Sequence, residues 1–435
     1  MKVVVAGGGW AGCSAALAAV KAGGQVTLLE KCDELLGTGL VGGIMRNNGR
    51  FTAAEEMIAM GAGELFEACD RAALHQGIEF PGGHRHATLY DVTRIEPEVR
   101  GALRAAGVRV LFRTRATGIR MEGGRIRAVL LKDGSAVPGD AFVDATGSAG
   151  PPANCTDHGE GCVMCVLRCP TFGGRVSLAA LAGVAERQSR RAGGSLGAYS
   201  GSCEISKESL APELTRELCR TGYIVVPLPD ALRDPGKLGL KACQQYADAV
   251  FGDNLVVLDT GHAKLMTSSM PLEVLRTVPG FERAAFLDPY SGGVANSVRY
   301  TAMAPHDMSL RANGVANLFC AGEKAGPLVG HTEAIVSGAL AGRNAALEAA
   351  GNEPMTLPAS LAVGDAIHFV TAAQDKLAGW DKKITFSGSF YFGRMEQLGL
   401  YSADAAGIHR RVREAGLEGV FAGPVLRRQT VALGA

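Results

Sequence analysis

The chain has 435 residues, 47% of them hydrophobic, with 59 glycines and 11 cysteines. Its 44 basic and 43 acidic residues leave a formal net charge of +1, which excludes the global positive field that draws a protein onto nucleic acid. No window holds the roughly 18 uninterrupted apolar residues of a membrane span, the first residues lack a signal-peptide pattern, and an odd cysteine count speaks against a disulfide framework, so a cytoplasmic α/β protein of more than one compact unit is expected.

Met1 to Ala6 reads as a short apolar strand running straight into Gly7-Gly8-Gly9-Trp10-Ala11-Gly12. This is the GxGxxG spacing of a dinucleotide-binding turn. Gly7 permits the tight strand-to-helix turn, Gly9 lets the backbone approach a pyrophosphate, and Gly12 lets the following helix pack on the strand. The phosphates would sit on free helix N–H groups. A second apolar strand, Gln25 to Leu29, ends at Glu30, where an acidic side chain accepts ribose hydroxyls.

Ala53 to Gln76 has a helical pattern, and a β-meander follows. Val108–Phe112 and Arg125–Leu131 read as strands, with turns at Glu122-Gly123-Gly124 and Lys132 to Ser135, and Ala141 to Gly147 closes the unit as a buried strand ending in Ala145-Thr146-Gly147. His84 and His86 have no carboxylate or cysteine at ligand spacing and read as loop residues. Directly after that strand, Cys155, Cys162, Cys165 and Cys169-Pro170 form C-x6-C-x2-C-x3-C-P. The last three resemble part of a ferredoxin run whose thiolates hold an iron–sulfur cluster, although the first spacing does not fit it. A redox-active Cys162–Cys165 pair and buried, unreactive cysteines are the other readings. No second GxGxxG is present, so NAD(P)H is expected at most as a transient electron donor.

Near the other end, Asn317 to Cys320 is a short apolar strand reaching Gly322-Glu323, and a helix begins at His331-Thr332-Glu333-Ala334 with small residues at Gly338, Ala341 and Gly342. The positive end of that helix can point at an electron-rich ring. His331 is a candidate proton donor there, with helix capping as the plainer alternative.

Taken together, GGGWAG, LLEK, VDATG and LFCAGE followed by GHTEAIVSGALAGRNAA resemble the two-part FAD-binding domain of the glutathione-reductase-like flavoproteins. The C-terminal block is similar to the glucose-inhibited division protein A family and the folate-dependent tRNA uridine methyltransferases. The fold class implied is a Rossmann-like FAD-binding domain, a parallel sheet plus β-meander, with an inserted α+β substrate domain. Its expected parts are residues 1–150 and 296–350 for FAD binding, 151–295 for the insertion with the cysteine cluster, and 351–435 as an extension.

By position, the resemblance places FAD against Gly7, Gly9, Trp10, Ala11, Gly12, Glu30, Lys31, Thr38, Gly39, Ala116, Ala145, Thr146 and Gly147. From the second part it adds Gly322, Glu323, His331, Thr332, Glu333 and Ala334. The tRNA-modifying relatives carry a reactive cysteine soon after the second strand, where this chain has Thr38-Gly39-Leu40-Val41-Gly42-Gly43. That departure argues against a nucleic-acid partner. The expected function is therefore an FAD-dependent oxidoreductase acting on a small molecule or thiol, with Cys162, Cys165 and His331 as catalytic candidates. The alternatives are a flavin-dependent tRNA-modifying enzyme and an electron-transferring subunit whose Cys155, Cys162, Cys165 and Cys169 hold an iron–sulfur cluster. A second copy of the chain or an electron-transfer protein remains open as partner.

Overall fold

A computed structural model describes residues 1–147, 176–188, 198–199, 202–236, 238, 246, 248–267, 270–287, 298–299, 302–374 and 383–426. The fold is mixed α/β around a five-stranded parallel sheet. Strand β1 (Lys2–Ala6) lies at its centre, between β10 (Ala141–Asp144) and β2 (Gln25–Leu29). Beyond them stand β15 (Leu318–Cys320) and β6 (Arg109–Leu111). The Val-Val-Val-Ala run of β1 is buried throughout, as a parallel strand covered on both faces requires.

Helix α1 (Trp10–Lys21) follows β1 directly and buries all of its residues from Trp10 to Ala19. Its partner is α6 (His331–Ala349), with which it makes the most extensive helix contact among the described residues. Glycine makes that contact possible. A Cβ at Gly338 or Gly342 would run into the carbonyl oxygens of Ala11 and Ala15, so the two backbones meet directly. The β-meander β7 (Ala116–Glu122), β8 (Arg125–Leu131) and β9 (Ala136–Pro138) branches from the same unit.

The single helical pattern expected over Ala53–Gln76 is divided. Helix α2 (Gly49–Ala59) ends before Gly61, whose φ of +84° suits glycine, and α3 (Glu64–Arg71) follows. The rest joins strand β4 (Ala73–Phe80), which pairs antiparallel with β5 (His84–Tyr90), itself paired with β3 (Ile44–Met45). His84 is accordingly no loop residue: its buried ring stacks at 4.4 Å on Phe80 and 4.8 Å on Tyr246. Aromatic packing, rather than ligand binding, accounts for it.

In sequence between β10 and β15, β11 (Cys203–Ile205), β14 (His262–Leu265), β13 (Asn254–Thr260) and β12 (Tyr223–Pro227) form a separate antiparallel sheet, in that spatial order. It is backed by α5 (Pro212–Thr221) and has its own apolar core around Ile205, Leu218, Val257 and Phe281. Lys264 ties this sheet to the rest by donating to the Val41 carbonyl at 2.6 Å while paired with Glu204 at 2.7 Å.

The C-terminal segment folds back as α7 (Ala362–Ala373), α8 (Ser389–Gln397) and α9 (Ala405–Glu414). Glu56 of α2 organises it from below. Its buried carboxylate accepts the first amides of α7, from Ala362 and Val363, at 3.0 Å each, and Arg411 of α9 at 3.0 Å. No described helix is long and apolar enough to cross a membrane.

Candidate functional site

The carboxyl ends of β1, β2, β10 and β15 open on a cleft enclosing about 1310 Å³, mouth included. Its floor is Ala6 to Ala11 with Ala145 to Gly147; Leu29 to Cys32 and Thr114 to Ala116 line one end, and Leu328 to His331 with Ala334 line the other.

The turn after β1 is built for close approach. Gly7 has φ of +99°, and a Cβ there would run into the Ala145 backbone, whereas a Cβ on Gly9 would meet only open space. Gly9 caps α1 without a side-chain hydrogen bond, so the first amides of the helix are left for an anion. Gly12 does not line the cleft. Its missing side chain admits the Gly7 carbonyl instead, which makes it a packing residue.

Glu30 sits at the end of β2, only 6% exposed. Its two carboxylate oxygens accept the Gly8 amide at 2.7 Å and the Cys32 amide at 2.8 Å. Each oxygen keeps a lone pair, so the group is fixed and still able to accept hydroxyl donors. The Gly8 bond locks the acidic residue to the glycine turn. A dinucleotide with its pyrophosphate at Gly7–Gly9 and a ribose at Glu30 thus meets complementary chemistry at both points.

At the opposite end, His331 begins α6 and packs on Trp10, with ring centroids 5.5 Å apart. Its Nδ1 lies 3.4 Å from the Tyr90 hydroxyl. Burial holds the Tyr90 phenol well above its ordinary pKa, so it stays protonated and can either donate to Nδ1 or accept from it, according to the histidine tautomer. Trp10 in turn donates from Nε1 to the Gly39 carbonyl at 3.2 Å. A Cβ on Gly42 would overlap the His331 ring, and one on Gly39 would strike Trp10 beside it, so these two glycines shape the seat of that histidine.

Of the residues expected around a cofactor, Gly7, Gly9, Trp10, Ala11, Glu30, Lys31, Thr38, Gly39, Ala116, Ala145, Thr146, Gly147, Gly322, Glu323, His331 and Ala334 line the cleft. Thr332 and Glu333 do not. The Thr332 hydroxyl is fully buried against the Met45 sulfur at 3.1 Å. Glu333, also fully buried, accepts Arg50 Nε at 3.1 and 3.2 Å, the Thr385 hydroxyl at 2.7 Å and the Phe386 amide at 2.9 Å. The helical turn that presents His331 to the cleft aims Glu333 into the protein, because positions two apart on a helix face different ways.

Sequence reasoning passes over Tyr90, Arg50 and Gly42, since each acquires its role only from a partner far along the chain. Cys155, Cys162, Cys165 and Cys169 lie outside the described residues, as does any metal they would hold. Among the described residues no cluster of histidine, cysteine and carboxylate side chains has metal-binding geometry.

Comparison with known proteins places this arrangement. The family model described as "Glucose inhibited division protein A" matches residues 2–228 and 253–353. The tRNA uridine 5-carboxymethylaminomethyl modification enzyme of Thermus thermophilus is 27% identical over 407 residues, 82% of this chain and 66% of that protein. The methylenetetrahydrofolate tRNA (uracil-5-)-methyltransferase of Dinoroseobacter shibae is 29% identical over 194 residues, 44% of this chain and 41% of that protein. Its counterpart in Lactobacillus helveticus is 36% identical over 106 residues, 24% of this chain and 25% of that protein. The chain thus spans less than half the length of these methyltransferases. In fold it matches the structure of Aquifex aeolicus GidA at a TM-score of 0.65 and 17% identity, covering 96% of this chain and 73% of that one.

These findings correct two expectations. The relatives are, by name, enzymes that modify uridines of tRNA, which overturns both the small-molecule or thiol substrate and the exclusion of nucleic acid as partner. The near-neutral net charge misled because it sums over the whole surface and says nothing of a local patch. An iron–sulfur cluster and an NAD(P)H donor find no support in the family match.

Proposed function

This chain belongs to the glucose-inhibited division protein A family, and from that membership we propose that it is an FAD-dependent enzyme acting on uridine in tRNA. One observation carries the reading: every residue lining the cleft falls within the two segments that the family model matches. The names of the relatives supply the substrate class.

Bound FAD would supply hydride-transfer chemistry that amino-acid side chains do not provide. The chain supplies binding and orientation. The amides at the start of α1 hold the pyrophosphate, Glu30 accepts the adenosine ribose hydroxyls, and the Ala116 backbone meets the adenine. Gly322 and Glu323 flank the ribityl and phosphate region. His331 stands at the ring end within reach of the Tyr90 hydroxyl, where its imidazole can give a proton to a reacting group. Trp10 and Gly42 fix the ring orientation from two sides.

The test uses the purified full chain. Flavin absorbance is measured first, then retention of tRNA transcripts at low and high salt, since phosphate contacts make binding strongly salt-dependent. Nucleoside mass spectrometry follows on tRNA from a host lacking its own uridine-modifying flavoenzymes, with and without this chain expressed. A flavin-loaded protein that neither retains tRNA nor alters any uridine would sink the reading.

A further inference from the structure

A lysine is an unexpected occupant of β14. Lys264 is 5% exposed, in a run over residues 263–266 that is otherwise apolar and buried. Its ammonium reaches Glu204 of β11 at 2.7 Å and, in the other unit of the fold, the Val41 carbonyl at 2.6 Å. The ion pair alone does not account for it. Glu204 leaves its Oε2 buried with no hydrogen-bond donor among the described residues, and the desolvation of two charges offsets their attraction, so apolar residues would hold the small sheet together as well. What apolar residues could not do is reach out of the sheet and grip a backbone carbonyl.

Val41 lies in a loop with glycine at positions 37, 39, 42 and 43, a composition that leaves the backbone many conformations unless it is tied down. The loop is pinned on either side of Val41. The Leu36 amide donates to the Gly8 carbonyl at 2.8 Å, Trp10 Nε1 donates to the Gly39 carbonyl at 3.2 Å, and the Tyr90 amide donates to the Gly43 carbonyl at 3.0 Å. Lys264 holds the stretch between. The next residue, Gly42, is the one pressed against the His331 ring, and the Thr260 side chain at the end of β13 fills the space beside Gly43. The antiparallel sheet thus meets the loop next to the two residues, His331 and Tyr90, that face each other at the end of the cleft.

We propose that Lys264 is a positioning residue for His331: from the antiparallel sheet it fixes the Val41 carbonyl, and through Gly42 it holds the imidazole in its seat against Trp10. Glu204 neutralises the lysine where water is excluded and does not itself touch the loop carbonyl. The consequence for turnover rests on the function proposed above, whereas the consequence for the imidazole does not.

The experiment records histidine ring NMR signals of the full chain, with and without added FAD, the signal of His331 being identified by its disappearance in His331→Gln. Lys264→Met is compared with Glu204→Gln and with the double variant, which removes both charges together and so stays folded if a stranded Glu204 carboxylate disrupts the single variant. The His331 signal is expected to shift in both proteins that lack Lys264 and to stay in place in Glu204→Gln. His306, whose ring is held by the carbonyls of Asp307 and Ala325, should not move in any of them. Acting on tRNA, the proteins without Lys264 should show kcat lower by about tenfold or more at unchanged KM, since misplacing a reacting group by about 1 Å costs on the order of a hundredfold. An unmoved His331 signal in the double variant, a shift in Glu204→Gln equal to that in Lys264→Met, or equal shifts of His306 and His331 would overturn the proposal. A wild-type protein that modifies no uridine overturns the proposed function instead, and the imidazole signal still decides the role of Lys264.

Discussion

The hydroxyl of Tyr90 stands 3.4 Å from Nδ1 of His331, joining the third strand of a small antiparallel sheet to the first residue of the helix that closes the cleft. Tyr90 is fully buried, and its amide is taken by the Gly43 carbonyl at 3.0 Å. Tyr90→Phe therefore removes a single polar contact and keeps the packing. The expected outcome is unchanged flavin content, a stability loss of about 1 kcal/mol, and turnover several-fold lower. Equal turnover in the two proteins would remove Tyr90 from the orientation of His331.

The buried Arg50–Glu333 pair anchors α6 to α2 and to the 385–387 segment. Removing one partner strands the other charge, so Glu333→Ala should lower unfolding free energy by about 3–5 kcal/mol. Replacing both with apolar residues should cost less than the single change. Denaturant unfolding of the two singles and the double provides the cycle, and strict additivity would show that the pair is not coupled.

Gly42 has no room for a side chain because the His331 ring occupies that space. Gly42→Ala should push the imidazole from its seat on Trp10 at a cost of about 1–3 kcal/mol. The readout is a shifted flavin absorbance band together with a loss of turnover larger than the loss of flavin affinity. A variant spectrally and kinetically identical to wild type would disprove the contact.

Glu30 joins the turn after β1 to the ribose end of the cleft through its bond with the Gly8 amide. Glu30→Ala removes a charged acceptor and leaves the Gly8 and Cys32 amides unanswered. Charge-assisted hydrogen bonds contribute about 1.5–3 kcal/mol each, so FAD affinity should fall at least tenfold, measured by equilibrium dialysis. Undiminished affinity would place the ribose elsewhere.

His306 illustrates a pH dependence independent of the cleft. Burial holds its imidazole below the ordinary 6.5, outweighing two backbone carbonyls, of Asp307 and Ala325, that favour the charged form. The folded protein thus resists protonating a group that the unfolded chain protonates readily. The contribution is fully present above pH 6.5 and is lost as pH falls from there toward the lower folded value. Urea midpoints at pH 7.5 and 5.5 should diverge more in wild type than in His306→Asn; identical divergence would rule His306 out as the titrating group.

The turn Gly7 to Gly12 and the strand ending at Glu30 are legible in the sequence because their geometry is local: a glycine spacing and an apolar run carry all the information. The β-meander is legible only in part: its turns at Gly123-Gly124 and Gly134 and its strand Arg125–Leu131 follow from local signals, whereas Val108–Phe112, expected in it, supplies β6 of the parallel sheet instead, and the meander begins with Ala116–Glu122. Ala73–Phe80 escapes such reading since only its pairing with His84–Tyr90, interrupted by register shifts, makes it a strand. Glu333 is harder still. Its acidic character near a helix start points to the cleft, whereas its partner Arg50 lies 283 positions earlier and no pattern announces the pair. The histidine's neighbours Tyr90 and Gly42 belong to the same class of long-range fact.

The direct backbone contact between α1 and α6 bears on how the protein comes into being. A nascent chain emerging from the ribosome exposes Trp10 to Ala19, a nearly uncharged stretch of small apolar residues, long before residues 331–349 are synthesised to cover it. The apolar flank of the first helix is thus covered only after most of the chain has been made.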